Sequence, residues 1–406
     1  MLPLLCIPYA AFLVTSTFSP ALRVPCSLTM SADAMSVATA MKSAAAKNTP
    51  FTDEELNAAV TSLKCLVPEH EAEIDWVALR ALYAERAHLT HKDWATTADS
   101  AKTLESIIGT PDAPVFKELF TRVLEDGGWD AAAATASKRT SESEPWVVLV
   151  TGLNGIRKTT SVNSPWFKKL LHEALGDQFD GSDDALPAGS DSFFRQLDYM
   201  IATCALESFK ELYAIDDIAT YAEFKAAIFA RYRTVAEILG VLLVHQCQQR
   251  RMNVMVETSG RDVGMYQYVD ALFPSATCGY RKLVVNFGIN DISFAERSVD
   301  VRMEREMEVG KGAMGASTDD GSSAAGKAII RANAGGPYGS AVLAGVQADS
   351  VRVWNDIVAA REGEAGHGWF KAAIGIEARD GAPWRVQARG DGVSGATCFE
   401  FGSLPG

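Results

Sequence analysis

Lys158 and Thr159 follow two glycines and an apolar run, in the order Gly152-Leu153-Asn154-Gly155-Ile156-Arg157-Lys158-Thr159-Thr160-Ser161. A lysine brings a point charge and a threonine a hydroxyl, while glycines let backbone N–H groups curl around an anion, so this spacing suits phosphate chemistry. The residues in front, Trp146-Val-Val-Leu-Val-Thr151, read as a strand buried on both faces of a parallel sheet. A helix opening at Lys158 adds the positive end of its dipole.

In the P-loop pattern that these residues follow, Lys158 contacts the β- and γ-phosphates of ATP and Thr159 holds Mg²⁺ through its hydroxyl. Gly152, Asn154, Gly155, Arg157 and Thr160 complete the cradle. Arg157 departs from the pattern, because it stands where a glycine ordinarily precedes the lysine and its Cβ crowds the loop. A guanidinium beside phosphate is chemically welcome, and it offers the charge that an arginine finger brings elsewhere. Two readings therefore stand: an active phosphotransferase, and a degenerate nucleotide-binding scaffold that transfers nothing.

A second buried strand, Asn253–Glu257, runs into Thr258-Ser-Gly-Arg261. It places Glu257 at the carboxyl edge of the sheet, where ligands of open α/β sheets gather. Glu257 is a candidate for Mg²⁺ or for a substrate hydroxyl, and Thr258 and Arg261 are candidates for substrate.

With the Gly152 to Thr160 loop and Glu257-Thr258 in this order, the segment 146–310 resembles the zeta-toxin family of P-loop kinases. The resemblance implies ATP-dependent transfer of the γ-phosphoryl group to a hydroxyl of a sugar, nucleotide-sugar or similar metabolite. It also implies a base and a substrate clamp from an Asp followed three residues later by an Arg. Asp191-Ser-Phe-Phe-Arg195 is one residue longer; it makes Asp191 the candidate base and Arg195 the clamp, with Asp198 also available. The other reading of Asp191 is the N-cap of an apolar helix. A charged helix over 294–308 carries Arg297, Arg302 and Arg305 toward a Gly/Ala/Ser-rich, mobile stretch at 310–326, so Arg302 is a candidate lid arginine beside the transferred phosphoryl group. A solvated helix face paired with Glu304, Glu306 and Glu308 is the plainer alternative. A P-loop hydrolase doing conformational work is disfavoured, since no apolar strand ends in a clear Walker-type Asp.

These residues need a scaffold, and strands alternating with helices supply one: an α/β fold with a parallel sheet between two helical layers. Helices are expected over 166–175, 193–213, 221–251 and 340–361, with a third strand at Arg281–Ile289. An all-helical segment precedes the sheet over 51–140, opening on a capping box at Thr52 and Glu55. Its His88 and His91 lack a third ligand at matching spacing and read as solvated surface. Strands at 372–378 and 384–388 around Asp380-Gly381 suggest a small C-terminal β-hairpin extension, 369–406, with a third strand at 397–401.

Composition bounds the rest. The chain has 406 residues, 48% hydrophobic and 22% charged, and a formal charge of −13 that argues against a general nucleic-acid binder. Seven scattered cysteines show no zinc spacing and read as reduced thiols. Residues 1–50 read as a targeting segment, with an apolar core over 2–14 and a Ser/Ala-rich, acid-poor stretch behind it. Ser16-Thr-Phe-Ser-Pro20 resembles the junction of two-part plastid presequences in algae with complex plastids, which makes a plastid the first expectation. A start at Met30 gives the cytoplasm instead. The expected partners are ATP and a small-molecule acceptor, with no nucleic acid and no membrane in the mature form.

Overall fold

A computed structural model describes residues 27–316, 323–378, 384–389 and 397–401. Seven helices come first: α1 (Ser27–Ala46), α2 (Asp53–Leu66), α3 (Trp76–Arg86), α4 (Trp94–Ile108), α5 (Pro114–Leu119), α6 (Thr121–Asp126) and α7 (Trp129–Ala136). Their starts are set by side chains that satisfy the orphan N–H groups of a first turn. Thr52 and Glu55 form the expected capping box, and Asp75 and Asp93 cap α3 and α4.

The sheet then alternates with helices. β1 (Trp146–Thr151) leads through α8 (Lys158–Val162) and α9 (Phe167–Leu175) to β2 (Ser192–Arg195). Next come α10 (Leu197–Cys204), α11 (Leu206–Tyr213), α12 (Ile218–Arg231), α13 (Arg233–Gln249) and β3 (Asn253–Glu257). After α14 (Gly264–Leu272) and β4 (Arg281–Ile289) stand α15 (Ile292–Ala316), α16 (Ser323–Ala332), α17 (Leu343–Val358), β5 (Phe370–Glu377), β6 (Trp384–Arg389) and β7 (Thr397–Phe401).

The strand order is β2-β3-β1-β4-β5-β6-β7, with β2 through β5 joined in parallel and β6 and β7 added antiparallel. This is the expected α/β parallel sheet flanked by helices. β1 is central and fully buried, which explains its unbroken apolar sequence. Both its neighbours, β3 and β4, come later in the chain, so connections diverge at its carboxyl end and open a crevice there.

Four expectations change. The helix expected over 193–213 begins with a strand, because Phe193 and Phe194 pair with Val254 and Met255; four residues are too few to display alternation. The helix expected over 221–251 is broken at Tyr232 into α12 and α13. β5 is the last parallel strand of the core, paired along its length with β4, as well as the first strand of the hairpin; the expected turn at Asp380-Gly381 lies outside the described residues. Within the segment read as targeting sequence, α1 packs along α12, buries Ala38 and pairs Lys42 with Glu223. Small residues that resemble a presequence also let a helix approach closely. The Ser16 to Pro20 motif lies outside the described residues. Among the described residues, no helix is long and apolar enough to cross a membrane.

One polar contact in the core ties these layers together. The Glu306 carboxylate of α15 receives Lys225 Nζ at 2.7 and 2.8 Å, Tyr221 Oη at 2.6 Å and the Ala334 backbone N–H at 2.8 Å. Lys225 and Glu306 are fully buried, and burial pulls the Lys225 ammonium down against the pull of Glu306. Glu306→Ala leaves that ammonium buried and unpaired, and is expected to cost about 3–5 kcal/mol in denaturant unfolding at neutral pH.

Candidate functional site

β1 ends at Thr151, and the loop 152–157 turns back over the sheet edge. Gly152 has φ +133°, and a Cβ there would strike the carbonyl oxygen of Phe287 on β4. Arg157 holds the left-handed conformation, φ 65° and ψ 27°, which is the backbone that a glycine adopts without cost. The side chain has therefore not diverted the loop from a glycine-type path. Lys158 then starts α8.

Three predicted residues meet at this edge. Lys158 is buried and donates to the Gly152 and Leu153 carbonyls at 2.8 and 2.7 Å. Its Nζ lies 3.2 Å from Glu257 Oε1, while Thr159 Oγ1 donates to Glu257 Oε2 at 2.9 Å. Adjacency of β1 and β3 produces this convergence, since Val150 pairs with Glu257 in parallel register. Burial lowers the Lys158 pKa, and Glu257 opposes the shift. A hydroxyl and a carboxylate form a hard-oxygen set that fits Mg²⁺, a cation that keeps waters and completes its shell with phosphate oxygens. Among the described residues, no three His, Cys, Asp or Glu side chains gather in a cluster that could hold a metal ion.

A cleft of about 1580 Å³ opens over this edge. Asn154, Gly155, Arg157, Thr160, Thr258, Arg261, Arg195 and Arg302 line it, as do Lys158, Thr159 and Glu257. Eleven lysines and arginines line the cleft against four carboxylates, which reverses the sign of the chain's overall charge of −13. Among the described residues, Arg157, Arg261, Arg302 and Arg305 have no carboxylate within ion-pair distance. The Nε atoms of Arg157 and Arg302 are buried without a partner.

Asp191 is not there. It precedes β2, whose first residue pairs with Asn253 at the start of β3, so it lies at the amino edge of the sheet, opposite the loop. It receives Lys168 at 2.7 Å and caps the Ala188 N–H at 2.9 Å. The base role assigned to it fails because the residues after it form a strand that spans the sheet. Asp198, just beyond the carboxyl end of β2, lines the cleft instead. Burial raises its pKa, opposed by Lys225 and Arg302.

Arg195 reaches the cleft wall, where it pairs with the buried Glu237 and lies over the Tyr268 ring at 5.1 Å. Arg233 reaches the other oxygen of Glu237 at 2.6 Å. Burial pushes the Glu237 carboxyl up, yet the two arginines outweigh it and hold it at about 2. Arg195 is thus committed to a fixed ion pair. The lid expectation also changes, because the Glu306 contacts bind α15 to α12 and residues 310–316 continue the helix, which makes Arg302 a fixed residue at the cleft. Residues 317–322 lie outside the described residues.

His88 and His91, expected on solvated surface, both line the cleft. Burial and the Arg233 guanidinium hold the His91 imidazole down at about 4, so it is neutral at physiological pH. Spacing gave no sign of this, since the wall they join comes from distant parts of the chain. Gly335 and Gly336 were also missed: Arg302 Nη2 reaches the Gly336 carbonyl at 3.4 Å, and Gly335 at φ +142° leaves room for that guanidinium.

The two loop positions separate in a thermal or denaturant assay. Gly152→Ala should destabilise by about 2 kcal/mol or more, whereas Arg157→Gly should stabilise by up to about 1 kcal/mol as the left-handed strain is released. No family model, no curated protein and no solved structure matches the chain.

Proposed function

We propose that the chain is a phosphotransferase that holds the phosphates of ATP on the 152–159 loop and passes the terminal phosphoryl group to an alcohol. The observation that carries this reading is the meeting of Lys158 and Thr159, which open α8 beyond β1, with Glu257 at the end of the adjacent parallel strand β3. Each has a separate task in that chemistry. Lys158, now resting on its own loop carbonyls, is positioned to exchange them for phosphate oxygens. Thr159 and Glu257 would hold Mg²⁺, which when bound neutralises charge on those oxygens.

Arg302, fixed by α15, faces the charge that develops on the transferred group, and preorganised charge of this sort lowers a barrier without rearrangement. Asp198 takes the base role. The acceptor oxygen bonds to the terminal phosphorus as the bond to the bridging oxygen breaks; ADP leaves with the electron pair on that oxygen, and the hydroxyl proton passes to Asp198. Its raised pKa makes it a better proton acceptor than an ordinary aspartate. A binding protein without transfer is the competing reading, motivated by Arg157. The glycine-type path kept at Arg157 favours the enzyme.

Calorimetric titration with Mg·ATP, followed by product analysis across alcohol acceptors, tests both. Lys158→Ala should weaken nucleotide binding at least tenfold, by about 1.4 kcal/mol. Asp198→Asn should keep binding and lose about a hundredfold or more in transfer. Tight ATP binding with no transfer to any acceptor would favour the scaffold, and no ATP binding at all would sink both. Asp198→Asn also has a pH signature. A carboxyl whose folded-state pKa is raised contributes stability that is fully present below its unfolded value and is lost as pH rises through the folded value. The variant should therefore gain stability over wild type progressively with rising pH, with no gain below the ordinary carboxylate range.

A further inference from the structure

The cleft extends well past the phosphate loop, to a wall built by elements that a phosphate cradle does not need. The turn between α3 and α4 contributes His91 and Lys92, α13 contributes Arg233, the segment after β3 contributes Arg261, and the loop before α17 contributes Tyr338. Charge on this wall is left uncompensated. Glu237 is a single carboxylate shared by Arg195 and Arg233, and the Nε atoms of both arginines are buried without a partner among the described residues. Arg261 has no carboxylate within ion-pair distance among the described residues; its guanidinium lies 4.8 Å from the Tyr338 ring centre, which holds it in place without neutralising it. Lys92 is balanced by Asp262. The surplus therefore rests on Arg233, Arg195 and Arg261, beside a neutral imidazole that is able to donate or accept.

The Arg195 and Arg233 Nε atoms are buried donors, which are costly to leave unpaired and mark a place where a ligand completes them, while Arg261 is exposed and presents its charge to the cleft from the solvent side. Position decides what sort of ligand. Arg195 ends β2, two strands from β1, and a strand spacing of about 4.8 Å puts it roughly 10 Å across the sheet from the loop strand. That puts Arg195 beyond the phosphates held by Lys158, whereas Arg261, next to Gly260 packed against Thr151, stands nearer the loop. The wall suits the distal end of an acceptor whose hydroxyl sits over Asp198, at the start of α10, a carboxylate that shares the neighbourhood of Gly336 with Asn154 of the loop and is also drawn on by Arg233.

We propose that this far wall is an anion subsite, and that the acceptor is an alcohol carrying a phosphate or carboxylate group of its own, gripped by Arg261 and Arg233. The acceptor role rests on the phosphotransferase reading; the anion subsite does not. Calorimetry on the full chain separates the two, with glucose 6-phosphate and glucose as one pair of probes and glycerate and glycerol as the other. Each is titrated into wild type, Lys158→Ala, and Arg261→Ala alone or with Lys92→Ala. The wall predicts that at least one anionic probe binds tenfold or more tighter than its uncharged parent, equally in wild type and Lys158→Ala, and that Arg261→Ala erases most of the difference. Preference for glucose 6-phosphate alone assigns the subsite to phosphate, and preference for glycerate alone to carboxylate. Equal binding of anion and parent overturns the proposal. So does loss of anion binding in Lys158→Ala, which would put the anion on the loop. Weaker Mg·ATP binding in Arg261→Ala, with anion preference unchanged, overturns it too by giving the wall to the nucleotide. Failure of wild type to bind Mg·ATP removes the phosphotransferase reading and leaves the anion result standing by itself.

Discussion

Glu306 is the contact on which the geometry of the cleft depends. One buried carboxylate takes hydrogen bonds from Lys225 and Tyr221 on α12 and from the Ala334 backbone. Those bonds satisfy a charge that would otherwise be very expensive to bury, and they have a directional effect. α15 is held against α12 at the residue one turn beyond Arg302, and the segment from Ala334 is drawn in beneath Gly335 and Gly336. Arg302 is thereby fixed at the cleft without forming an ion pair among the described residues. A lid on a flexible hinge would have to pay ordering entropy at each closure, whereas a helix pinned by a buried pair has already lost that freedom on folding.

The same economy of placement explains how an acidic chain presents a cationic cleft. Among the described residues, four carboxylates line the cleft, while basic residues converge on it from α1, α13, the loop, the segment after β3 and α15. Low-dielectric walls strengthen a field of one sign inside a cleft and draw in anions from solution. Asp198 sits within this field, where burial raises its pKa and the neighbouring Lys225 and Arg302 pull the other way. A carboxylate balanced between these influences responds to a bound polyanion, because phosphate oxygens would offset part of the positive potential that now favours its ionised form.

What the sequence disclosed depended on element length and on how local each signal was. β1, β3 and β4 were legible because long apolar runs end in recognisable loops, and with them came the convergence of Lys158, Thr159 and Glu257. β2 was not, since Ser192 to Arg195 is too short to alternate and is followed at once by a helix. The base role of Asp191 came from the Asp-to-Arg spacing of the resemblance and the helix gave only its capping alternative; the strand carries Asp191 to the far edge and delivers Asp198 to the cleft. His91, Arg233 and Tyr338 were illegible for another reason, as residues separated by more than a hundred positions share one wall only through tertiary packing. The small-residue stretch in α1 fitted a presequence and a closely packed helix equally well, and nothing local distinguishes them.

Arg157 brings the local and the global together. A glycine at this position would be read as backbone chemistry alone: a left-handed residue that lets the loop turn into α8. Arginine accepts the same angles at a cost in strain, and the surrounding structure must over-determine them for the conformation to persist. Gly152 wedged against Phe287 on one side and Gly155 packed against Ala295 and Val299 of α15 on the other supply that constraint. The loop is thus held in shape by β4 and by the helix that Glu306 pins, so its path survives the loss of a glycine. The side chain that replaces the glycine then adds a guanidinium to the cleft without an acidic partner among the described residues. A strained backbone retained together with an uncompensated charge is a costly combination, and an anion bound in the cleft is the simplest physical reason for keeping both.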